Sequence, residues 1–406
     1  MKNRDIYLRQ LTAFKDTSPV KVVTGVRRCG KSTLLDLYER HLRSLGASAI
    51  LRMNFESLEF EHIKTYRDLY AYIKAWLRPE AHGAEPPGAH APTAYILLDE
   101  VQQVEGWERA VNSLRLERGV DLYVTGSNAR LLSSELSPLL SGRYVEIKML
   151  PLSFAEFMDF NGYPREEADV RFNDYLKRGS FPGVTELRDN PTAIEQLVEG
   201  IYDTIIMKDV IMRNSVRDAA LLDGVVRFLC ASVGNFLSTK KISGYLTSAG
   251  RKTSAETIDS YVRMLEDAFF IYRARRYDLK GHMHLKTQEK FYVVDTGIRR
   301  ALVGAGDYGF LLENVVYLEL LRRGYRVSVG KLGSLEVDFV AAKGDRIVYY
   351  QVTASALDKG TRERELAPLR RIPDHHEKVL LSMDRTPISS FDGIRNVNIV
   401  DFLLGA

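Results

Sequence analysis

Apolar residues come in short runs along the first part of the chain: KVVTG (21–25), AILRMNF (49–55), AYILLDEV (94–101), DLYVTGS (121–127) and YVEIKML (144–150). Between them the apolar spacing changes to the helical period, over 31–45, 65–77, 107–117 and 129–140. Buried strands alternating with helices predict a parallel sheet covered on both faces. The stretch RPEAHGAEPPGAHAPT (78–93) keeps neither period and is predicted as a surface loop. From 154 to 213 the pattern is helical, with a Gly-Pro break at RGSFPGV. From 221 to 278 three helical patterns lead into an arginine-rich strand, the order of a winged helix, with Thr253 or Ser254 as the cap of the third helix.

The first strand runs into TGVRRCGKST. Gly25 and Gly30-Lys31-Ser32 have the spacing of a phosphate-binding loop. Its glycines let backbone N–H groups turn inward on an anion, and the following helix directs its positive end to the same place. Lys31 is placed to reach the terminal phosphates of ATP, and Ser32 to ligate Mg²⁺. Arg27 and Arg28 either clamp phosphate or pair with acids such as Glu56 or Glu100. Cys29 sits among the loop amides, where a helix N-terminus lowers a thiol pKa. That predicts a reactive thiol shielded by ATP.

The strand YILLDE ends in Asp99 and Glu100. A buried strand delivers both to the carboxyl edge of the sheet, Asp99 toward the Mg²⁺ and Glu100 toward the attacking water. The strand YVTGSN brings Ser127 and Asn128 to the same edge, to sense the γ-phosphate or to cap the next helix. Arg143 follows that helix and has two readings: an arginine acting on a neighbouring subunit's ATP, or a solvated turn residue.

These stretches, with MNFES, LLDEVQQVEGWERAVNSL and the later YYQVTAS, closely resemble a large prokaryotic group of AAA+-type ATPases with a C-terminal domain of unknown function. The resemblance implies a five-stranded parallel ATPase core, a helical lid, ATP and Mg²⁺ as ligands, and a homo-oligomer, with a hexameric ring as one form. It carries functional roles to Gly25, Gly30, Lys31, Ser32, Thr33, Asp99, Glu100, Ser127 and Arg143. The expected fold class is α/β, divided into an ATPase core (1–152), a lid (153–219), a winged helix (220–285) and a C-terminal domain (286–406).

In that last part Glu313 lies on an amphipathic helix, Asp338 follows Glu336 in a strand, and Gln351-x-Thr353 ends the next. The order resembles a restriction-endonuclease-like core. Such a core needs two acidic metal ligands and a lysine. Thr353 stands at the lysine position, which predicts a degenerate nuclease unless Lys343 or Lys359 substitutes.

Charge and composition narrow the partners. The 406 residues are 45% apolar and 27% charged, with a net charge of +4, as in globular proteins. Residues 205–300 hold 17 Lys and Arg against 10 Asp and Glu, which is compatible with nucleic acid. Arg273, Arg275, Arg276, Lys240, Lys241, Arg251 and Lys252 are the candidate contacts. The third helix carries Glu256, Asp259, Glu266 and Asp267, poor chemistry for phosphate, and winged helices also bind proteins. No apolar run reaches membrane-spanning length, and the N-terminus predicts no secretory signal. Two cysteines without metal spacing predict reduced thiols in a cytoplasmic protein. Three functions stay open: an oligomeric ATPase acting on nucleic acid, an ATP-dependent nuclease, and a nucleotide-switched protein scaffold.

Overall fold

The computed structural model describes residues 2–78, 93–129, 142–187, 190–281 and 283–405. The predicted loop at 78–93 and the helix at 129–140 lie almost wholly outside the described residues. The chain divides into two compact units, 1–149 and 150–406.

The first unit is built on five parallel strands: β1 (Val20–Thr24), β2 (Ile50–Asn54), β3 (Ala94–Asp99), β4 (Val120–Gly126) and β5 (Tyr144–Lys148). Their spatial order is β2-β3-β4-β1-β5. Strands β1 and β3 are buried along their whole length, as continuous apolar runs covered on both faces must be. The helices are α1 (Asp5–Ala13), α2 (Lys31–Ser44), α3 (Tyr66–Trp76) and α4 (Trp107–Leu114). Thr65 and Asp68 form a reciprocal capping box that fixes the start of α3. One face of the sheet, with Val22, Met53, Ile96, Leu98 and Val124, packs on Leu69 and Ile73 of α3 and on Trp107, Val111 and Leu114 of α4.

Register places the functional strand ends together. Thr24 pairs with Gly126, and Leu98 with Val124, so the carboxyl ends of β1, β3 and β4 stop at nearly one level.

The second unit opens with α5 (Phe154–Asn161), α6 (Ala168–Arg178), α7 (Pro182–Glu186) and α8 (Pro191–Thr204). Then come α9 (Ala219–Ala231), α10 (Thr239–Ser248) and α11 (Ala255–Asp267), the last capped by Ser254. The antiparallel pair β6 (Ile271–Asp278) and β7 (Met283–Val293) follows α11, and β6 also pairs in parallel with β8 (Arg326–Leu332). These strands therefore belong to an eight-stranded sheet with β9 (Leu335–Lys343), β10 (Arg346–Val352) and β11 (Glu377–Ser382). The boundary expected between 285 and 286 falls inside β7. The helix α13 (Tyr308–Arg322), after α12 (Thr296–Val303), packs on this sheet and carries Glu313. Among the described residues no helix is long and apolar enough to cross a membrane.

Candidate nucleotide site

The loop after β1 has a shape that few residues tolerate. Gly25 has φ +155°, and a Cβ there would lie 2.2 Å from the carbonyl oxygen of Met149. Arg28 and Gly30 also take positive φ, 68° and 102°. Glycine holds two of these positions at little cost; Arg28 carries strain of about 1–3 kcal/mol. Gly30 is the residue from which α2 starts, so the first N–H groups of α2 open onto the loop.

Lys31 is almost fully buried beneath the loop. Its Nζ donates to the carbonyls of Gly25 at 3.2 Å and Val26 at 3.3 Å and lies 3.5 Å from Glu100 Oε1. Ser32 and Thr33, both half-buried, follow in the first turn of α2.

The end of β3 is closed by β4. Thr125 donates its hydroxyl to Asp99 Oδ1 at 2.5 Å and accepts the N–H of Glu100 at 3.0 Å. Asp99 is completely buried. Its Oδ2 has no hydrogen-bond partner among the described residues and lies 3.6 Å from the Arg52 guanidinium, an ion pair too long for a hydrogen bond. Burial pushes the Asp99 carboxyl above its ordinary range, and the Thr125 and Ser32 hydroxyls only partly offset this.

Glu100 behaves in the opposite way. Burial pushes its carboxyl up, but Lys31, Gln102 and Arg27 outweigh that and hold it below the ordinary value. Gln102 donates to Oε2, and the Ser127 hydroxyl reaches the same oxygen at 3.4 Å. Glu100 itself has φ 54°, a left-handed turn that swings its carboxylate back toward Lys31. Ser127 and Asn128 are both buried at the same strand end.

The two loop arginines part company. Arg27 pairs with Glu56 at 2.9 Å, while Arg28 is exposed.

Cys29 reverses its expectation. Its side chain is fully buried, and Sγ packs against the inner side of Gly25. Burial raises the thiol pKa, overriding the favourable charges of Lys31 and Arg4. The helix-terminus rule applies to a thiol that faces the anion site, and this one faces the core.

Arg143 lies away from its own chain's loop. It is exposed, and its carbonyl accepts the N–H of Val20 at 2.9 Å, at the amino end of β1. The loop begins at the other end of that strand, about 13 Å along it at 3.3 Å per residue.

A family model described as an AAA domain matches residues 17–158, and a domain of unknown function, DUF8612, matches residues 169–308. An uncharacterised protein of Haemophilus influenzae is 42% identical over 410 residues, covering 100% of this chain and 99% of its own. The chain belongs to the family of that protein. A second relative, an uncharacterised protein of Methanocaldococcus jannaschii, is 29% identical over 378 residues, covering 90% of this chain and 80% of its own. Among solved structures, Aeropyrum pernix ORC1 in complex with DNA is similar at 13% identity and a TM-score of 0.31, covering 74% of this chain and 92% of that one. AMPPCP-bound DnaA from Aquifex aeolicus is similar at 14% identity and a TM-score of 0.30, covering 65% and 88%. At these TM-scores the likeness carries no weight for function.

Around the loop of the first unit, Arg52, Gln102 and Arg4 carry no signal in the sequence pattern. Arg52 lies on β2, pairs with Asp36 at 2.6 Å, and donates to the Ser32 carbonyl at 3.0 Å. Arg4, before α1, donates to the Cys29 carbonyl at 3.1 Å and braces the loop from beneath. Arg4 lies 25 positions from its partner and Arg52 lies 47 from Asp99; no local motif announces either.

Proposed function

We propose that the first unit binds ATP with Mg²⁺ and hydrolyses it, and that the chain acts as an oligomer on nucleic acid. The observation that carries the reading is the uncommitted chemistry at the carboxyl edge. Among the described residues Lys31 is held by two loop carbonyls and Glu100 at 3.2–3.5 Å, beside a buried Asp99 oxygen that accepts no hydrogen bond from them. That oxygen is within ion-pair distance of Arg52, at 3.6 Å, but accepts no hydrogen bond among the described residues, and a buried polar atom without one costs about 1–3 kcal/mol.

The residues fit a divalent cation. Asp99 Oδ2, at the end of β3, and the Ser32 hydroxyl, in the first turn of α2, are hard oxygen donors, the type that Mg²⁺ takes while keeping several waters. The ion would neutralise charge on the phosphates. The amides from Gly25 to Thr33, with Cys29 contributing only its backbone, cradle the phosphates. Lys31 swings from the loop carbonyls onto the terminal phosphate. Glu100, ionised at neutral pH because its pKa is held low, accepts the proton of the attacking water. Ser127 and Asn128 stand where a γ-phosphate would be sensed.

Glu100→Gln tests this reading. ATP binding should persist while turnover falls by about 10²-fold or more. Equal turnover by both proteins would remove Glu100 from the chemistry.

Arg143 sits at the opposite sheet edge from its own loop, which supports the trans-acting reading and hence an assembly of copies. For nucleic acid, the support is an exposed basic set on the winged-helix-like segment: Lys240, Lys241, Arg251, Lys252 and Arg275. Arg273 leaves that set, because it is engaged by Glu266 at 2.7 Å and Glu289 at 2.9 Å. Arg276 is partly engaged by Gln288 at 2.9 Å.

The acidic third helix, with Glu256 exposed, favours a second reading, a nucleotide-switched protein scaffold. ATP turnover with and without duplex, single-stranded and branched DNA separates the two: stimulation supports nucleic acid, and slow turnover indifferent to every DNA supports the scaffold. The order of Glu313 on α13, Asp338 on β9 and Gln351 on β10 supports a restriction-endonuclease-like arrangement in the second unit.

A further inference from the structure

The acidic residues of the second unit converge on a lysine. Lys290, on β7, is 4% exposed. Its Nζ lies 2.6 Å from Glu336 Oε1, 3.1 Å from Glu313 Oε2 and 3.7 Å from Asp338 Oδ1. The ring of Phe236 lies 5.6 Å away, and Tyr292 adds its hydroxyl to Glu313 at 3.2 Å. The carboxylates arrive from α13 and from β9, and the ammonium between them comes from a third element.

A nuclease of the resembling fold needs two acidic metal ligands and a lysine; here Gln351 stands where the second acid is expected and Thr353 where the lysine is, and the nearby carboxylates are those of Glu313, Glu336 and Asp338. The residues here do not fit that arrangement. Mg²⁺ requires oxygens at about 2.0–2.1 Å and keeps several waters. The space between these carboxylates is taken by Nζ, and Glu313 and Asp338 are both more than nine-tenths buried. A dication beside that ammonium would be repelled at close range. The remaining donors are engaged elsewhere. Asp338 Oδ2 accepts the N–H of Val352 at 2.9 Å. Gln351 gives its oxygen to the N–H of Asp338 at 3.4 Å and its amide to Glu365 at 2.9 Å. Thr353, at the usual lysine position, donates to the Ser355 carbonyl at 3.2 Å, and Lys343 to the Arg323 carbonyl at 2.7 Å.

We infer that Lys290 is the resident cation of this cluster: its ammonium sits among the carboxylates of Glu313, Glu336 and Asp338, which are gathered and held by it without a metal. Three carboxylates on one ammonium leave residual negative charge. Glu336 carries part of it at the rim, where its side chain is 31% exposed. Burial raises the Glu313 and Asp338 carboxyls above their ordinary range, against the pull of the Lys290 ammonium. The Lys290 charge is disfavoured by burial but held in place by Glu313, Asp338 and Glu336. A cluster completed in this way has no vacant coordination position with which to activate water, so the second unit serves for binding or architecture and not for cleavage. The inference stands apart from the ATPase reading, because the cluster lies wholly in the other unit.

Manganese titration of nucleotide-free full-length protein, followed by electron paramagnetic resonance of free Mn²⁺, tests it. The wild type and Asp338→Asn should bind Mn²⁺ alike. Lys290→Met, which keeps the stem and removes the charge, should gain one site at least tenfold tighter than any in the wild type. Adding Asp338→Asn should remove it. Mn²⁺ binding by the wild type that depends on Asp338 would overturn the inference, as would a folded Lys290→Met that gains no site. If Lys290→Met does not fold, Glu336→Gln at the rim decides: unchanged Mn²⁺ affinity supports the inference, and a tenfold loss overturns it. Mn²⁺-dependent cleavage of DNA by the wild type that is lost in Asp338→Asn would also overturn it.

Discussion

The two buried lysines at acidic strand ends make an instructive pair. Lys31 touches loop carbonyls and one carboxylate at 3.2–3.5 Å, and the Asp99 oxygen beside it, 3.6 Å from Arg52, accepts no hydrogen bond among the described residues. Lys290 draws Glu336 to 2.6 Å and Glu313 to 3.1 Å, and the Asp338 oxygen that faces away from it accepts a backbone N–H. Both are lysines among carboxylates, and both are well over nine-tenths buried. They differ in what remains unsatisfied. A site prepared for a ligand keeps polar atoms in reserve at a cost in stability; a site that has supplied its own ion keeps none.

Removing each lysine should break the comparison most sharply. Lys31→Ala deletes the charge-assisted phosphate contact, so ATP binding and turnover should fall below detection with little change in melting temperature. Lys290→Met strands three carboxylates around an apolar stem, so it should destabilise the second unit by about 3–5 kcal/mol, the cost of breaking a buried ion pair. It should leave nucleotide affinity unchanged. Fluorescent-nucleotide binding and calorimetric melting on both variants check this. A Lys31→Ala variant that melts as low as Lys290→Met would show that Lys31 is a structural ion as well.

Arg143 gives the next largest effect, because a site kept open can be completed by a second copy of the chain. Arg143→Ala should preserve ATP binding and lower turnover by up to about 10³-fold, as at sites completed by a trans-acting arginine. Mixing it with Lys31→Ala should restore part of the turnover, since each chain supplies what the other lacks. No rescue, or full turnover by a protein that remains monomeric with ATP, would remove both the trans arginine and the assembly.

The sequence showed these two sites unequally, and the reason is the length over which each is assembled. Gly25, Gly30, Lys31 and Ser32 fall within eight residues, and Asp99 and Glu100 end a run that is visibly a buried strand. Local geometry there follows from local sequence. Arg52 meets Asp99 only because β2 lies beside β3, and strand order is not written in any run of apolar residues. Cys29 was misread because spacing tells where a residue sits in the loop but not which way its side chain turns. Lys290 escaped for the same reason: β7 closes on α13 and β9 only through the order of an eight-stranded sheet. Motif residues alone left that cluster without its cation, and Lys343, a lysine close by in sequence, is engaged by the Arg323 carbonyl instead.

Asp99 offers the smallest effect and the finest discrimination. Its folded pKa is raised above the ordinary Asp value, so the folded chain binds more protons than the unfolded chain between those two values. Stability from this group is therefore present at low pH and declines as pH rises through that window. At neutral pH the ionised carboxylate is a cost to the nucleotide-free fold. Asp99→Asn removes the cost and keeps an oxygen for the Thr125 hydroxyl, so the nucleotide-free protein should melt higher, on the order of 2 °C for each kcal/mol recovered. The gap should close as the pH falls toward the range where Asp99 takes up its proton. With ATP the order should reverse: the wild type should gain stability from Mg²⁺ and the Asn variant should not, because bound ligand stabilises in proportion to its affinity. Melting curves across pH, with and without ATP and Mg²⁺, read both arms at once. If Asp99→Asn instead melts lower without nucleotide at neutral pH, Asp99 is already engaged as Asp338 is, and the nucleotide site is not held open in the way the contrast with Lys290 requires.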